Sequence, residues 1–370
     1  MKLAYKWHGR LGWVLAPLLA IQALGGAVLL WMQPLPALQE RPPAAQAWAQ
    51  AVDQGMAELA RRYPTAKIEY VNLPGKTDAP VSVRLLASGS NESGWADIDA
   101  VNGTVGPLQP DSSQARTLLY ALHEHLLLAD VGPWVQRAMA LVALVLVAMG
   151  LRVWWRVRHM PARTPLRRLH RLVGPVVVLP VAMMLITGFV LRSPEWTRAA
   201  LSAWPGQAAA ATKPAAPAAP VAPAAGGLPT ATLGQALTAA ATALPQSRPM
   251  RIYPARDGVV RVRMRGDEWH PLGLDNVFVS TAGATVQRIV RAAEQPLSVR
   301  YLNVVYPLHL GSLPGKPGLA AALVARGLWT LLALSLATLA LSGLVQRFRA
   351  TSKSQTTRRR QVECKQGQPQ

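Results

Sequence analysis

Cysteine is almost absent from this 370-residue sequence, whose one cysteine is Cys364 near the C-terminus. A single cysteine excludes an internal disulfide framework, so the folded parts of the chain must be held together by packing. It also excludes the Cys-x-x-Cys-His attachment site of covalent c-type haem and a cysteine-ligated iron–sulfur cluster. No Gly-x-Gly-x-x-Gly follows a strand pattern and no Walker lysine loop occurs, so no nucleotide-binding signature is present.

Acidic residues are scarce as well, with 18 Asp and Glu against 39 Lys and Arg and a formal net charge of +21 at pH 7. Only 15% of the residues are charged and 51% are hydrophobic, which excludes an ordinary soluble globule and favours a membrane protein. Four apolar stretches are long enough to cross a hydrocarbon core of ~30 Å as helices. They cover residues 11–31, 134–155, 172–191 and 323–345.

The basic residues cluster in three short segments that these four helices place on one side of the membrane. The segments are residues 2–10, 152–171 and 347–360. By the positive-inside rule that side is the cytoplasm, so residues 32–133 and 192–322 face outward. We therefore expect a multi-pass protein of the bacterial inner membrane with both termini in the cytoplasm and two large periplasmic loops. The high charge is explained by topology, so the lipid bilayer is an expected partner and nucleic acid is not.

An internal repeat organises the chain. Residues 8–12 and 170–174 share the pattern His-x-x-x-Gly, and a glycine follows each histidine at the same interval, Gly26 and Gly188. Residues 120–123 and 306–309 share Tyr-x-Leu-His, and each is followed by a Gly/Pro turn and a helix with an arginine near its start. This order predicts two parallel repeats, each a helix, a domain and a helix. The Ala/Pro run 207–227 has no counterpart in the first repeat and is predicted to be an extended, disordered linker.

Each repeat contains one amphipathic helix pattern and then short alternating strand patterns, which predicts two α+β modules outside the membrane. The helix patterns are 47–63 and 233–244, and the strand patterns are 66–72, 81–86, 95–98, 250–253, 259–264, 276–280 and 285–290. The predicted order is a basic segment with transmembrane helix one (1–32), a first periplasmic module (33–114), an interfacial helix with transmembrane helix two (115–155), a basic cytoplasmic loop (156–169), transmembrane helix three (170–192), a second periplasmic module with the linker (193–306), an outer histidine element with transmembrane helix four (307–346) and a basic cytoplasmic tail (347–370).

Over nearly its whole length the chain resembles the PepSY-associated transmembrane family. The resemblance rests on the histidine patterns at His8, His170, His123 and His309 and on residues 98–105, which are similar to the closing motif of a PepSY module. Residues 280–286 of the second module lack the matching aspartate. The resemblance implies an integral membrane α-helical fold, with four transmembrane helices in two parallel repeats and two extracytoplasmic α+β PepSY-like modules.

The family includes iron-regulated inner-membrane proteins and ferric-siderophore reductases that bind two b-type haems. The resemblance therefore implies a di-haem electron-transfer protein, an oxidoreductase that takes electrons from a donor protein or quinol and passes them to a ferric siderophore. Two parallel repeats bring equivalent residues to equal depth, which pairs His8 with His170 near the cytoplasm and His123 with His309 near the outer face. Each pair would hold one non-covalent haem b through two imidazoles.

The outer pair requires a break in the chain, because His123 would lie about 21 Å from Arg137 along one continuous helix. Gly132 and Pro133 supply that break, which predicts a separate interfacial helix over 115–129. Arg137 and its repeat equivalent Arg326 can pair with haem propionates, and snorkelling towards the headgroups explains them equally well.

Two further histidines, His159 and His270, have no repeat partner and are predicted to be solvated. A second function remains open, in which the modules bind or regulate a partner without redox activity and the helices serve as an anchor. Transport is weakly supported, because the helices show no obvious break and no acid at mid-membrane.

Overall fold

The computed structural model describes residues 2–33, 35, 45–75, 79–86, 93–203, 232–315 and 317–366, without the side chains of residues 2, 45–47, 202, 298 and 350–366. The predicted Ala/Pro linker, residues 207–227, lies outside the described residues. The chain divides into two compact units. The membrane unit comprises Met1–Met32, Leu119–Ser193 and Arg326–Gln370, and the sheet unit comprises Gln33–Leu118 and Pro194–Ala325.

Four helices are long and apolar enough to cross a membrane, which confirms the number predicted from the apolar stretches. They are α1 (Lys2–Met32), α4 (Gly132–Val157), α5 (Pro165–Arg192) and α9 (Leu319–Gln366). Each extends beyond its apolar stretch, because lysine and arginine are good helix formers and continue the helix past the hydrocarbon core. The Oγ1 atom of Thr164 caps α5 by accepting a hydrogen bond from the backbone N–H of Arg167, and Pro165 occupies the first turn.

A short separate helix, α3 (Ala115–His125), precedes α4, and it ends four residues before the predicted end at residue 129. The break between the two helices lies at residues 126–131, and Gly132 and Pro133 form the first turn of α4. Leu126, Leu127 and Ala129 have positive φ angles in the connection between the two helices. A Cβ atom at Gly132 would collide with the backbone of His125, so only glycine allows this close return of the chain.

Two contacts of the membrane unit show how its helices pack. Leu15 and Leu19 of α1 are buried against Met139 and Ala143 of α4. Small side chains bring α1 close to α9 through Ala20, Ala23 and Ala337. Elsewhere large apolar side chains point outward, as do Leu172, Val176 and Leu179 along one face of α5, which are 67%, 74% and 78% exposed. An exposed apolar stripe on a helix of this length is suited to contact with lipid.

The sheet unit contains one antiparallel sheet of eight strands, in the order β4-β3-β2-β1-β5-β6-β7-β8. The strands are β1 (Lys67–Asn72), β2 (Val81–Leu86), β3 (Gly94–Ile98), β4 (Gln109–Pro110), β5 (Arg248–Arg256), β6 (Val259–Arg265), β7 (Asp275–Ser280) and β8 (Val286–Val290). The helices are α2 (Ala45–Arg62), α6 (Pro194–Ser202), α7 (Leu233–Ala243) and α8 (Leu297–Leu310).

The pairing of β1 with β5 joins the two predicted modules into one continuous sheet. Left apart, each of these strands would expose an unpaired edge of backbone N–H and C=O groups. The helices are joined too: Asp53 of α2 accepts hydrogen bonds from Thr232 Oγ1 (2.6 Å) and from the Gly234 N–H (2.8 Å). A Cβ atom at Gly234 would overlap Ala49 and Asp53, so this glycine lets α2 and α7 touch.

One face of the sheet forms the core beneath α2 and α7, where Val71, Val83, Ile98, Ile252 and Val262 are all 0% exposed. Because side chains alternate along a strand, the residues between them lie on the opposite face. That second face carries arginines and aromatic residues over its central strands, and towards β8 Val259 and Val290 pack against Phe278.

Candidate cofactor site in the membrane unit

His8 of α1 and His170 of α5 lie close together, with ring centroids 6.4 Å apart and ring planes at 78° to each other. Both side chains are partly buried. The two helices that the predicted repeat treats as equivalent thus carry their histidines to the same place in the membrane unit. Ligation of a haem by this pair stays a prediction.

The hydrogen bond of His8 defines which ring nitrogen is protonated. Its Nδ1 lies 3.1 Å from the carbonyl oxygen of Leu146. A carbonyl oxygen can only accept, so Nδ1 must donate and carry the proton. In a neutral imidazole the lone pair is then on Nε2, which is the atom available to a metal. Gly150 makes room for the ring, because a Cβ atom there would lie 2.8 Å from Cε1 of His8.

His170 reaches the same state through a serine. Its Nδ1 lies 2.8 Å from Oγ of Ser342, and that Oγ is 3.0 Å from the carbonyl oxygen of Leu339. The single hydroxyl proton of Ser342 is donated to Leu339, so the oxygen accepts from Nδ1 of His170. Nε2 of His170 therefore also carries the lone pair. Two neutral imidazoles with Nε2 as donor atom form a suitable axial ligand set for haem iron.

His123 of α3 has the third such arrangement. Its Nδ1 donates to the carbonyl oxygen of Gln22 (3.1 Å), while the side chains of Gln22 and Gln136 donate to the carbonyl oxygens of Leu122 and His123 at 3.0 Å and 2.6 Å. A Cβ atom at Gly26 would lie 2.9 Å from Cε1 of His123. The repeat glycine at position 26 therefore makes space for a histidine ring.

His309 lies near the end of α8 in the sheet unit, where Gly311 closes the helix with a φ of 64°. Its pairing with His123 stays a prediction.

The two arginines predicted near the outer helix ends have protein partners. The Nε and Nη2 atoms of Arg137 donate to the carbonyl oxygen of Arg192 at 2.9 and 2.7 Å, which caps the C-terminus of α5. Arg326 is 8% exposed and lies over the ring of Trp31, 5.6 Å from its centroid. Contacts of either arginine with a haem propionate stay a prediction.

The expectation that His270 is solvated is wrong. Its ring stacks on Tyr306 of α8, with centroids 4.9 Å apart and planes at 21°. Burial, together with Arg263 and Arg265, lowers the pKa of His270 to about 4. Nothing local in the sequence signals this contact, since the two residues come together only when the β6–β7 loop folds onto α8. His159, by contrast, is exposed as predicted.

Among the described residues no group of three or more His, Cys, Asp or Glu side chains could hold a metal ion. A comparison with curated proteins gives no match. The family model described as PepSY-associated TM region matches residues 5–348, a stretch that contains His8, His123, His170 and His309. Together with its four membrane-spanning helices, this match shows that the chain belongs to the PepSY-associated transmembrane family.

Proposed function

We propose that this protein is a di-haem electron-transfer protein of the bacterial inner membrane that reduces a ferric siderophore at the periplasmic side. One haem b would be held by His8 and His170 and a second by His123 and His309. Electrons would come from a donor protein or a quinol, since the sequence has no dinucleotide-binding signature.

The observation that carries the proposal is the matched state of His8 and His170. Both rings donate through Nδ1, to Leu146 O and to Ser342 Oγ, and both therefore present a basic Nε2. Hydrogen bonding of the second ring nitrogen orients a ligating histidine and raises its basicity, so these acceptors are the partners that a metal ligand requires. Two histidines with a purely structural role would not need to donate hydrogen bonds through the same ring nitrogen.

The surroundings also suit a cofactor. Gly150 leaves space beside the ring of His8 and Gly26 leaves space beside the ring of His123. Bundles of facing helices commonly house cofactors between them. Bound haem would supply one-electron transfer, and the chain's own residues would orient the ligands and exclude water.

The direction of transfer follows from the proposed topology. The basic segments 2–10, 152–171 and 347–360 would lie in the cytoplasm, which places the sheet unit on the periplasmic side where a siderophore arrives. Reduction weakens the hold of a siderophore on iron, because Fe²⁺ binds anionic oxygen ligands less tightly than Fe³⁺.

The visible absorption spectrum of the detergent-purified protein tests this function. We expect a reducible low-spin b-type spectrum with two haems per chain. Absence of haem after haem supplementation during expression would contradict the proposal and would favour the second function, a membrane-anchored module that binds or regulates a partner without redox activity.

A further inference from the structure

The face of the sheet that lies opposite α2 and α7 carries one row of alternating arginine and aromatic side chains. Strand register places the members of this row opposite one another on neighbouring strands, and the row continues through the β1–β5 junction, where Tyr70 and Tyr253 lie 6.1 Å apart. In strand order from β3 to β8 the row is Trp95, Arg84, Tyr70, Tyr253, Arg261, Phe278 and Arg288.

At the centre of this face the guanidinium groups of Arg251 and Arg261 lie over tyrosine rings. The Cζ atom of Arg251 is 3.9 Å from the ring centroid of Tyr70, and that of Arg261 is 3.7 Å from the ring centroid of Tyr253. Cross-strand pairs of this kind stabilise a sheet face by themselves. Stabilisation alone, however, does not explain the charge of this face.

The positive charge at one end of the row is neutralised. Arg84 forms a bidentate ion pair with Asp111, with N–O distances of 2.5 and 2.6 Å. Along β5 and β6 the situation differs. Within the described residues Arg261 and Arg263 of β6 have no carboxylate within 4 Å, and Arg251 of β5 has the amide oxygen of Asn72 at 2.7 Å instead.

The surroundings of Arg251, Arg261 and Arg263 reflect an excess of positive charge. The Nε atom of Arg263 is buried and has no hydrogen-bond partner among the described residues. Burial alone would raise the pKa of Tyr253, yet Arg263, Arg251 and Arg261 outweigh burial and lower it. We call Arg251, Arg261 and Arg263, with the rings of Tyr70 and Tyr253, the cationic face.

The β6–β7 loop, which follows Arg261 and Arg263 along the chain, contacts α8, the helix that carries the predicted haem ligand His309. Arg263 lies near enough to His270 to lower its pKa, and His270 stacks on Tyr306, one turn before His309 in α8. Trp269 Nε1 donates to the carbonyl oxygen of Ser312 at 2.8 Å and holds this loop at the end of α8.

We propose that the cationic face binds an anionic ferric chelate whose iron ligands are catecholate rings. Three catecholates around Fe³⁺ leave a triple negative charge, which complements the three arginines, and their planar rings can stack on guanidinium groups. A hydroxamate chelate of Fe³⁺ is neutral and has no rings, so this face would discriminate against it. That this chelate is the electron acceptor rests on the proposed function, whereas its binding to the cationic face does not require haem.

The test uses the gallium(III) complex of a hexadentate tris-catecholamide, which has the charge and shape of the ferric chelate and cannot be reduced. Its affinity for the full-length, detergent-solubilised protein is measured by isothermal titration calorimetry. We expect Arg261→Gln and Arg263→Gln each to weaken binding about tenfold or more, because each removes a charge-assisted contact. The control Arg61→Gln removes a positive charge from α2, on the other side of the sheet, and should change affinity less than about twofold.

Two comparisons make the assignment specific. Arg263→Lys keeps the charge and should lose less affinity than Arg263→Gln, and the neutral gallium tris-hydroxamate should bind at least about tenfold more weakly than the catecholate. Equal affinity for the two chelates, or unchanged catecholate binding in both glutamine variants, would overturn the proposal. Competition by citrate as strong as that by the catecholate would overturn the role of the rings. The haem spectrum of each variant is recorded separately, so failure of this proposal is distinguished from failure of the proposed function.

Discussion

Gly26 of α1 lies directly against the ring of His123 of α3, at a position where a Cβ atom would be 2.9 Å from Cε1. Gly25, its neighbour, has no described atom within 4 Å of an added Cβ. Two adjacent glycines of one helix therefore differ in whether they make space for a predicted ligand. Alanine substitutions at Gly25 and Gly26 therefore distinguish the effect of helix propensity from the effect of moving the His123 ring.

We predict that Gly26→Ala displaces the His123 ring and lowers the haem content from two per chain towards one. Gly25→Ala should keep both haems, since in a helix the change from glycine to alanine is itself favourable by up to about 1 kcal/mol. Haem per chain, measured by pyridine haemochrome assay, decides between them. Equal haem content in the two variants would show that the space beside His123 has no bearing on cofactor binding.

The hydroxyl of Ser342 is predicted to orient His170. Ser342→Ala removes the acceptor of the Nδ1 proton, and loss of such a partner typically weakens metal binding by about 10- to 100-fold. For the haem proposed between His8 and His170, we expect Ser342→Ala to lose haem faster to apomyoglobin and to have a shifted midpoint potential. Ser342→Thr keeps a hydroxyl and should have the haem-loss rate and the midpoint potential of the unaltered protein. A midpoint potential that is the same in Ser342→Ala and in the unaltered protein would argue against this orienting role.

The loop over residues 266–274 should open at acidic pH because of His270. The pKa of His270 is about 4 in the folded protein, below its ordinary value of 6.5. Between pH 4 and pH 6.5 the His270 ring is therefore protonated in the open loop and neutral in the closed loop. The stability of the closed loop is thus complete above about pH 6.5 and falls as the pH drops towards 4, by roughly 2–3 kcal/mol.

Hydrogen exchange of the loop amides, corrected for the intrinsic pH dependence of exchange, measures this opening. His270→Phe keeps a ring to stack on Tyr306 and removes the titrating group, so its protection should not change between pH 7 and pH 4.5. An equal loss of protection in both proteins would assign the effect to another group.

The membrane helices and most strands could be predicted, because each is recorded in a local pattern. Apolar runs of sufficient length signal α1, α4, α5 and α9, and alternation such as Val260, Val262 and Met264 signals a half-buried strand. The pairing of β1 with β5 could not be predicted in this way, since edges far apart in sequence meet only in the folded chain and either strand alone has a complete alternating pattern.

The candidate cofactor site, like the fold, could be predicted only where a sequence pattern records it. The repeat indicates which histidines correspond, and His8 and His170 do lie 6.4 Å apart. Their acceptors, Leu146 O and Ser342 Oγ, depend on the rotation of α4 and α9 about their axes, which an almost uniformly apolar sequence leaves undetermined. The stacking of His270 on Tyr306 depends on a loop conformation that no periodic pattern records.

The most direct test of the central claim is the haem content of three variants, His8→Ala, His170→Ala and the double variant that combines them. If both residues hold the same haem, each single variant should keep one haem per chain, and the double variant should also keep one, because the two substitutions act on one site and are not additive. His159→Ala, an exposed histidine of the same unit, should keep two. Two haems per chain in both single variants, or a further haem lost in the double variant, would contradict the paired site.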